Sequence, residues 1–199
     1  MNQYYDVPNA YDSFGKATYS ISSLSASKES LEKGNDSELS AAFGLDNESP
    51  ATKNNQTIAL IDYLMGQGRD WALGAVLHSK PAYVFYSGYL NYVFGAQDGG
   101  LYISRLNQGE IAFSFIPRAV MKQTPILKKD MPTKNFPYGF DGSPTAVEFD
   151  QNGDGFLSSN DFTWIVAGLR RSGANYYGLK VSRSTYLDAL WQISKDEFN

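Results

Sequence analysis

The sequence predicts a mainly β fold: a partial β-propeller of about two four-stranded antiparallel blades, preceded by a short helix and a polar leader. Three observations carry it. Tyr and Phe are abundant, with 14 and 12 copies in 199 residues, and aromatic side chains suit pleated, half-buried surfaces. From Leu73 onward, short apolar runs alternate with Gly, Asn and Asp turns, at the lengths of strands and hairpins. The pattern then occurs twice, because VFGAQDGGLYISRLNQGEIAFSF is answered by IVAGLRRSGANYYGLKVSRSTYLDALWQI. Four-stranded meanders repeated at about fifty residues are the signature of propeller blades.

The elements follow in order. Residues 1–56 are rich in Ser, Asn and Glu and read as a loosely ordered leader. Leu24, Leu31, Leu39 and Phe43 have weak helical spacing there, broken by Gly34. Residues 57–72 read as an amphipathic helix and linker. Ile58, Ile61, Leu64 and Met65 share one helical face, Asn55 or Thr57 can cap it, and Gly66 and Gly68 stop it, which places the helix near 57–66.

Residues 73–199 form the partial propeller. Blade one spans about 80–117, with the runs SKPAYVFYSG, YLNYVFGAQDGG, LYISRLNQG and EIAFSFIP. Residues 118–140, rich in Pro and Lys, read as a long surface connection with one helical turn. Blade two spans about 141–199, with SPTAVEFD, FTWIVAGLRR, NYYGLKVS and LDALWQIS. Propellers close with about four to eight blades, and an open pair leaves apolar faces and strand edges uncovered. The expectation is a piece of a larger propeller chain, with a small two-sheet β domain as the alternative.

Bulk properties exclude several classes. The net charge of −4, the sequence pI near 5.0 and the lack of a basic run argue against nucleic-acid binding. Without cysteine there is no disulfide framework and no Cys-ligated zinc. His78 is the one histidine, so a His-rich metal site is impossible. In an extended strand its neighbour Ser79 points to the opposite face, so the pair reads as structural rather than catalytic. No apolar run approaches the ~20 residues of a membrane-spanning helix, and the first residues lack the basic and apolar regions of a secretory signal.

The strongest local signal is DQNGDGFLSSND, residues 150–161. Calcium is a hard cation that takes oxygen ligands. Asp150, Asn152 and Asp154 supply positions one, three and five, and Gly155 at six permits a sharp turn. The backbone oxygen of Phe156 serves position seven, Ser158 position nine directly or through water, and Asp161 position twelve. Asp at position twelve is the dockerin-type choice and reaches less far than Glu, which predicts affinity of about 10⁻⁵–10⁻³ M. The alternative is a metal-free Asn/Gly/Asp turn.

The remaining polar motifs read as structural. Asp98-Gly99-Gly100 and Asp141-Gly142-Ser143-Pro144 are turns in which glycine supplies φ > 0 and Asp caps the backbone. Arg170 and Arg171 read as a solvated hairpin tip. Trp164 and Trp191 alternate within strands and read as blade core.

Several runs in a fixed order also carry a resemblance: WALGAVLHSKPAYV, NYVFGAQDGGLYISRLNQGEIAFSFIPRAVM, DGSPTA and WIVAGLRRSGANYYGLKVS. Together with the helix ALIDYLMG they cover about residues 57–199 and resemble the C-terminal propeller of the PilY family, the tip-associated adhesins of bacterial type IV pili. The chain departs from that family's pattern at Ala75, Gln97, Tyr102 and Lys180, where Asp, Asn, His and Asp are expected, and at Ser158, where the family's calcium loops carry Asp. The resemblance implies a calcium-binding, non-enzymatic module of the bacterial cell surface, pilus or outer membrane, active in cell adhesion, pilus biogenesis and twitching motility. Its implied partners are pilus subunits or minor pilins, a host or surface receptor, and the remainder of the propeller. The other readings are a calcium-stabilised, non-adhesive propeller scaffold and a fragment of a quinoprotein-type propeller enzyme, whose strand signature is similar.

Overall fold

The computed structural model describes residues 18–19, 38–64, 67, 73–86, 89–107, 109, 111–129, 137–156, 158, 160–182 and 188–193. In chain order they form β1 (Thr18–Tyr19), α1 (Glu38–Ala42), α2 (Pro50–Leu64), β2 (Ala82–Tyr86), β3 (Tyr89–Gly95), β4 (Leu101–Arg105) and β5 (Ile111–Pro117). Then come α3 (Arg118–Met121), α4 (Thr124–Lys128), β6 (Thr145–Phe149), β7 (Phe162–Gly168), a 3-10 turn at Arg170–Ser172, β8 (Tyr176–Ser182) and β9 (Asp188–Ile193).

The fold is mainly β. Two antiparallel four-stranded meanders, β2-β3-β4-β5 and β6-β7-β8-β9, form separate sheets that do not close on themselves, and β1 adds a two-residue edge to β5. This is the partial-propeller arrangement that the sequence repeat predicts. The repeat extends to an irregularity in the ladders. Gly95 pairs with Leu101 in the first sheet and Gly168 with Tyr176 in the second. Counted from those pairs, the register shift between Ile103 and Ser104 falls at the same place as the one between Gly178 and Leu179. A bulge at matching positions twists the outer hairpin of each sheet in the same way.

The sheets pack face to face. Strand alternation puts Leu101, Ile103, Phe113 and Phe115 on one side of the first sheet. On the second, Ile165, Ala167, Tyr177 and Leu179 share a side. The Phe115 and Tyr177 rings meet edge-on at 5.3 Å, and Phe140, just ahead of the second sheet, touches Tyr177 as well. The opposite side of the first sheet is buried too at Tyr102, Ala112 and Ile116. Its cover falls to the helices, whose Leu39, Ala42, Phe43, Leu60, Ile61 and Leu64 belong to the same core.

Three sequence expectations change here. The helix begins at Pro50, not near Thr57. Proline is favoured in the first helical turn, and Ser49 accepts the Thr52 N–H at 3.4 Å, as an N-cap does. Thr57 lies mid-helix and buried, its hydroxyl donating to the Lys53 carbonyl at 2.8 Å and meeting Ser40 Oγ at 2.9 Å. Residues 38–56 are likewise no loose leader, because Leu39, Ala42 and Phe43 are in the core; residues 1–17 and 20–37 lie outside the described part. The connection after Pro117 is not simply a surface loop. Val120, Met121, Thr124 and Leu127 are buried, and Lys128 Nζ donates to the Ala59 carbonyl at 2.7 Å. Each short helix turns part of its surface inward, Val120 and Met121 in α3 and Thr124 and Leu127 in α4.

Candidate functional site

The loop that the sequence singles out hangs from the β6–β7 hairpin. Its base is closed by the pair Phe149 and Phe162, whose rings stack at 4.9 Å. Beyond them the polar side chains fold back on the loop's own backbone. Asp150 Oδ1 accepts the Gly153 N–H at 2.8 Å and Oδ2 the Gly155 N–H at 2.7 Å. Asn152 Oδ1 accepts the Asp154 N–H at 3.2 Å, and Asp154 Oδ1 accepts the Phe156 N–H at 2.7 Å. The Asn152 amide donates to Asp154 Oδ2 at 2.7 Å. Asp161 reaches back across the loop, accepting the Gln151 N–H at 2.9 Å on Oδ1 and the Ser158 N–H on Oδ2.

Gly153 and Gly155 both have left-handed φ, +70° and +79°. That conformation is costly for any residue with a Cβ, and it reverses the chain so that Asp150 can reach both amides. The structure thus gathers Asp150, Asn152, Asp154, Phe156, Ser158 and Asp161 into one loop. Asp161 is buried at its foot, while residues 150–156 lie toward solvent.

The donor set is all oxygen, the chemistry a hard cation needs. Its geometry is not that of a formed shell: among the described residues no group of three or more His, Asp or Glu side chains is placed to hold a metal ion. An ionised carboxylate offers about four lone-pair sites, so the backbone contacts of Asp150 and Asp154 do not exhaust them. An ion would have to draw these carboxylates toward Asp161.

A second polar constellation lies where the two sheets meet. His78 Nδ1 lies 2.7 Å from Asp141 Oδ1, and Arg170 Nη1 stands 3.9 Å from Asp141 Oδ2. The Asp141 side chain is fully buried, while those of His78 and Arg170 are 37% and 54% exposed. The Arg171 guanidinium covers the Tyr138 ring at 5.0 Å, and His78 leans on the same ring at 5.8 Å. Ser79 turns the other way and accepts the Gly95 N–H at 2.8 Å. Ser143 accepts the Lys80 N–H at 2.9 Å.

His78 is therefore hydrogen-bonded to Asp141, a contact that fits its structural reading. Arg170 and Arg171 are not merely a solvated tip; they reach back onto Asp141 and Tyr138. Arg170 does so from a left-handed φ of +57°, uncommon for a residue with a side chain. Sequence reasoning missed this junction because nothing in the spacing of HSKP, DGSP and LRRSG says that they meet. Asp98 acts as the turn reading expects: it is buried and accepts the Gly74 N–H at 2.7 Å and the Gly100 N–H at 3.4 Å. Trp164 departs from its reading, since it lies on the outer side of the second sheet, 42% exposed. The Trp191 side chain is outside the described part.

Among the described residues no helix is long and apolar enough to cross a membrane. Comparison of the chain with protein-family models, with curated proteins and with solved structures finds no significant match.

Proposed function

We propose that the chain is a calcium-binding, surface-displayed module of the pilus-tip adhesin type, acting in type IV pilus assembly and attachment without catalysis. The observation that carries the calcium part is the inward turn of the loop's Asp and Asn oxygens around two left-handed glycines, Gly153 and Gly155. In this reading the Asp150, Asn152, Asp154 and Asp161 oxygens exchange part of their contacts with backbone N–H groups for calcium, with the Phe156 carbonyl and Ser158 completing the oxygen set. Gathering the carboxylates orders the hairpin tip, and the ordered tip engages a pilin or a surface receptor. The adhesion and pilus part rests on the ordered sequence resemblance to the PilY family.

Titration calorimetry with calcium chloride tests the ion. Saturable heat that Asp150→Ala abolishes is expected, and no calcium-dependent heat in the parent chain refutes the site. Limited proteolysis within 150–161 tests the ordering, since protection should appear on adding calcium.

One observation favours a second reading, a calcium-stabilised scaffold without adhesive function. The loop's backbone amides are already satisfied by Asp150, Asp154 and Asp161, so an ion need add only stability. In that case removing calcium lowers the melting temperature and leaves cell attachment unchanged.

A further inference from the structure

We infer that the Asn152–Gly153 peptide is a modification site, at which the loop turns its own asparagine into aspartate and isoaspartate by way of a cyclic imide. This rests on the loop's amide contacts and does not depend on calcium binding.

The chemistry begins in the sequence. Asn followed by Gly occurs once in the chain, at Asn152–Gly153. The side-chain amide of an asparagine is open to attack by the backbone nitrogen of the next residue, and a side chain on that residue hinders the approach. Glycine carries no Cβ. Gly153 also stands in open space, since a Cβ built on it would meet nothing within 4 Å. Asn152 and Gly153 are both exposed, so the water that completes the reaction has access.

The structure puts a partner on each atom that changes. The electrophile is Cγ of Asn152. Its Oδ1 accepts the Asp154 N–H at 3.2 Å, an Asx turn that folds the side chain back over the Asn152–Gly153 peptide. The same N–H donates to the oxygen on which negative charge develops. The nucleophile is the Gly153 nitrogen, whose N–H donates to Asp150 Oδ1 at 2.8 Å. That carboxylate stands where the departing proton must go. Its contact runs along the N–H, in the peptide plane, and leaves the face of the nitrogen free for Cγ. The leaving group is Nδ2, which donates to Asp154 Oδ2 at 2.7 Å. Holding these groups in one turn supplies the proximity that an open chain has to find by chance.

The bond from Gly153 nitrogen to Cγ forms, and the bond from Cγ to Nδ2 breaks. The Gly153 proton passes through Asp150 and solvent to Nδ2, which departs as ammonia. Water then opens the imide. Opening at Cγ restores the main chain and leaves aspartate at 152; opening at the Asn152 main-chain carbonyl leaves isoaspartate. No oxidant or reductant is needed. Either product adds a negative charge to a loop that already holds Asp150, Asp154 and Asp161. Isoaspartate also routes the main chain through Cβ, between Asp150 and the Gly153 and Gly155 amides that it holds.

Peptide mass spectrometry on the full chain, aged in chelator at neutral pH, tests this without any substitution. Asn107 and Asn160 are exposed and are followed by Gln108 and Asp161. Asn152 should convert roughly tenfold or more faster than either, giving chromatographically distinct aspartate and isoaspartate forms of one peptide. Gly153→Ala should slow the conversion by roughly tenfold or more. Asp150→Ala keeps the Asn-Gly pair but removes the acceptor of the Gly153 N–H, and should slow it as well. Conversion at Asn152 no faster than at Asn107 and Asn160 overturns the inference. Equal rates in the parent and Asp150→Ala overturn it too, because the loop's contacts then play no part.

Discussion

Asp141 and His78, 63 residues apart in sequence, meet through a 2.7 Å contact between Oδ1 and Nδ1 that ties the approach to the first sheet to the start of the second. Asp141 is fully buried, and its other oxygen faces Arg170 at 3.9 Å without a hydrogen-bond partner. One carboxylate thus holds three segments: residues before β2, residues before β6 and the turn after β7.

Removing that carboxylate should loosen the junction between the sheets. A hydrogen bond to a charged group contributes about 1.5–3 kcal/mol, and solvent at His78 and Arg170 places the cost toward the low end. Asp141→Ala should therefore lower unfolding stability by about 1–2 kcal/mol, measured by urea titration. Asp141→Asn keeps one acceptor for His78 and should cost less. Equal stability of Asp141→Ala and the parent would show that the junction is incidental.

Gly142, beside it, tests close approach rather than conformation. A Cβ there would stand 1.9 Å from the carbonyl oxygen of Gly168, a backbone atom that cannot swing aside. Gly142→Ala should cost about 2–3 kcal/mol, in the range of overpacking. Gly153 is the contrast: its φ is +70° but nothing lies within 4 Å. Gly153→Ala should cost about 1 kcal/mol through backbone strain alone. Thermal melts of the two variants should rank in that order.

The loop contains two kinds of aspartate. Asp161 is buried and pins both ends of the loop through the Gln151 and Ser158 amides. Asp154 is exposed and bonds to its immediate neighbours. In chelator, Asp161→Ala should lower stability by about 1–2 kcal/mol, whereas Asp154→Ala should stay within about 0.5 kcal/mol of the parent. Both should weaken calcium binding by calorimetry. A stable, fully calcium-competent Asp161→Ala would remove Asp161 from the site.

Local chemistry explains what could be read early. The eight long strands were legible because each is an aromatic or β-branched run bounded by turn residues, and both signals are local. The loop was legible for the same reason: Asp, Asn and Gly at fixed offsets determine which amides the carboxylates can reach. The start of α2 was missed because the apolar spacing of Ile58, Ile61 and Leu64 is clearest past Thr57, while Ser49 and Pro50 mark the start without an apolar stripe. Arg170 and Arg171 looked like a solvated tip because charge in a Gly-containing turn carries no mark of what stands across from it.

The sequence by itself determined that this chain makes two β meanders of one pattern, and that the longest turn of the second gathers oxygen-bearing side chains. Strand periodicity and turn chemistry act within a few residues, so composition and order suffice for both. Only the tertiary structure decided that the sheets pack face to face, that Asp141 joins His78 to Arg170, and that Trp164 faces outward with Val147 and Tyr176. These follow from which faces pack, and a face is chosen by the whole core at once: Tyr177 is buried because Phe115 lies opposite, and Tyr176, one residue away, is left to solvent.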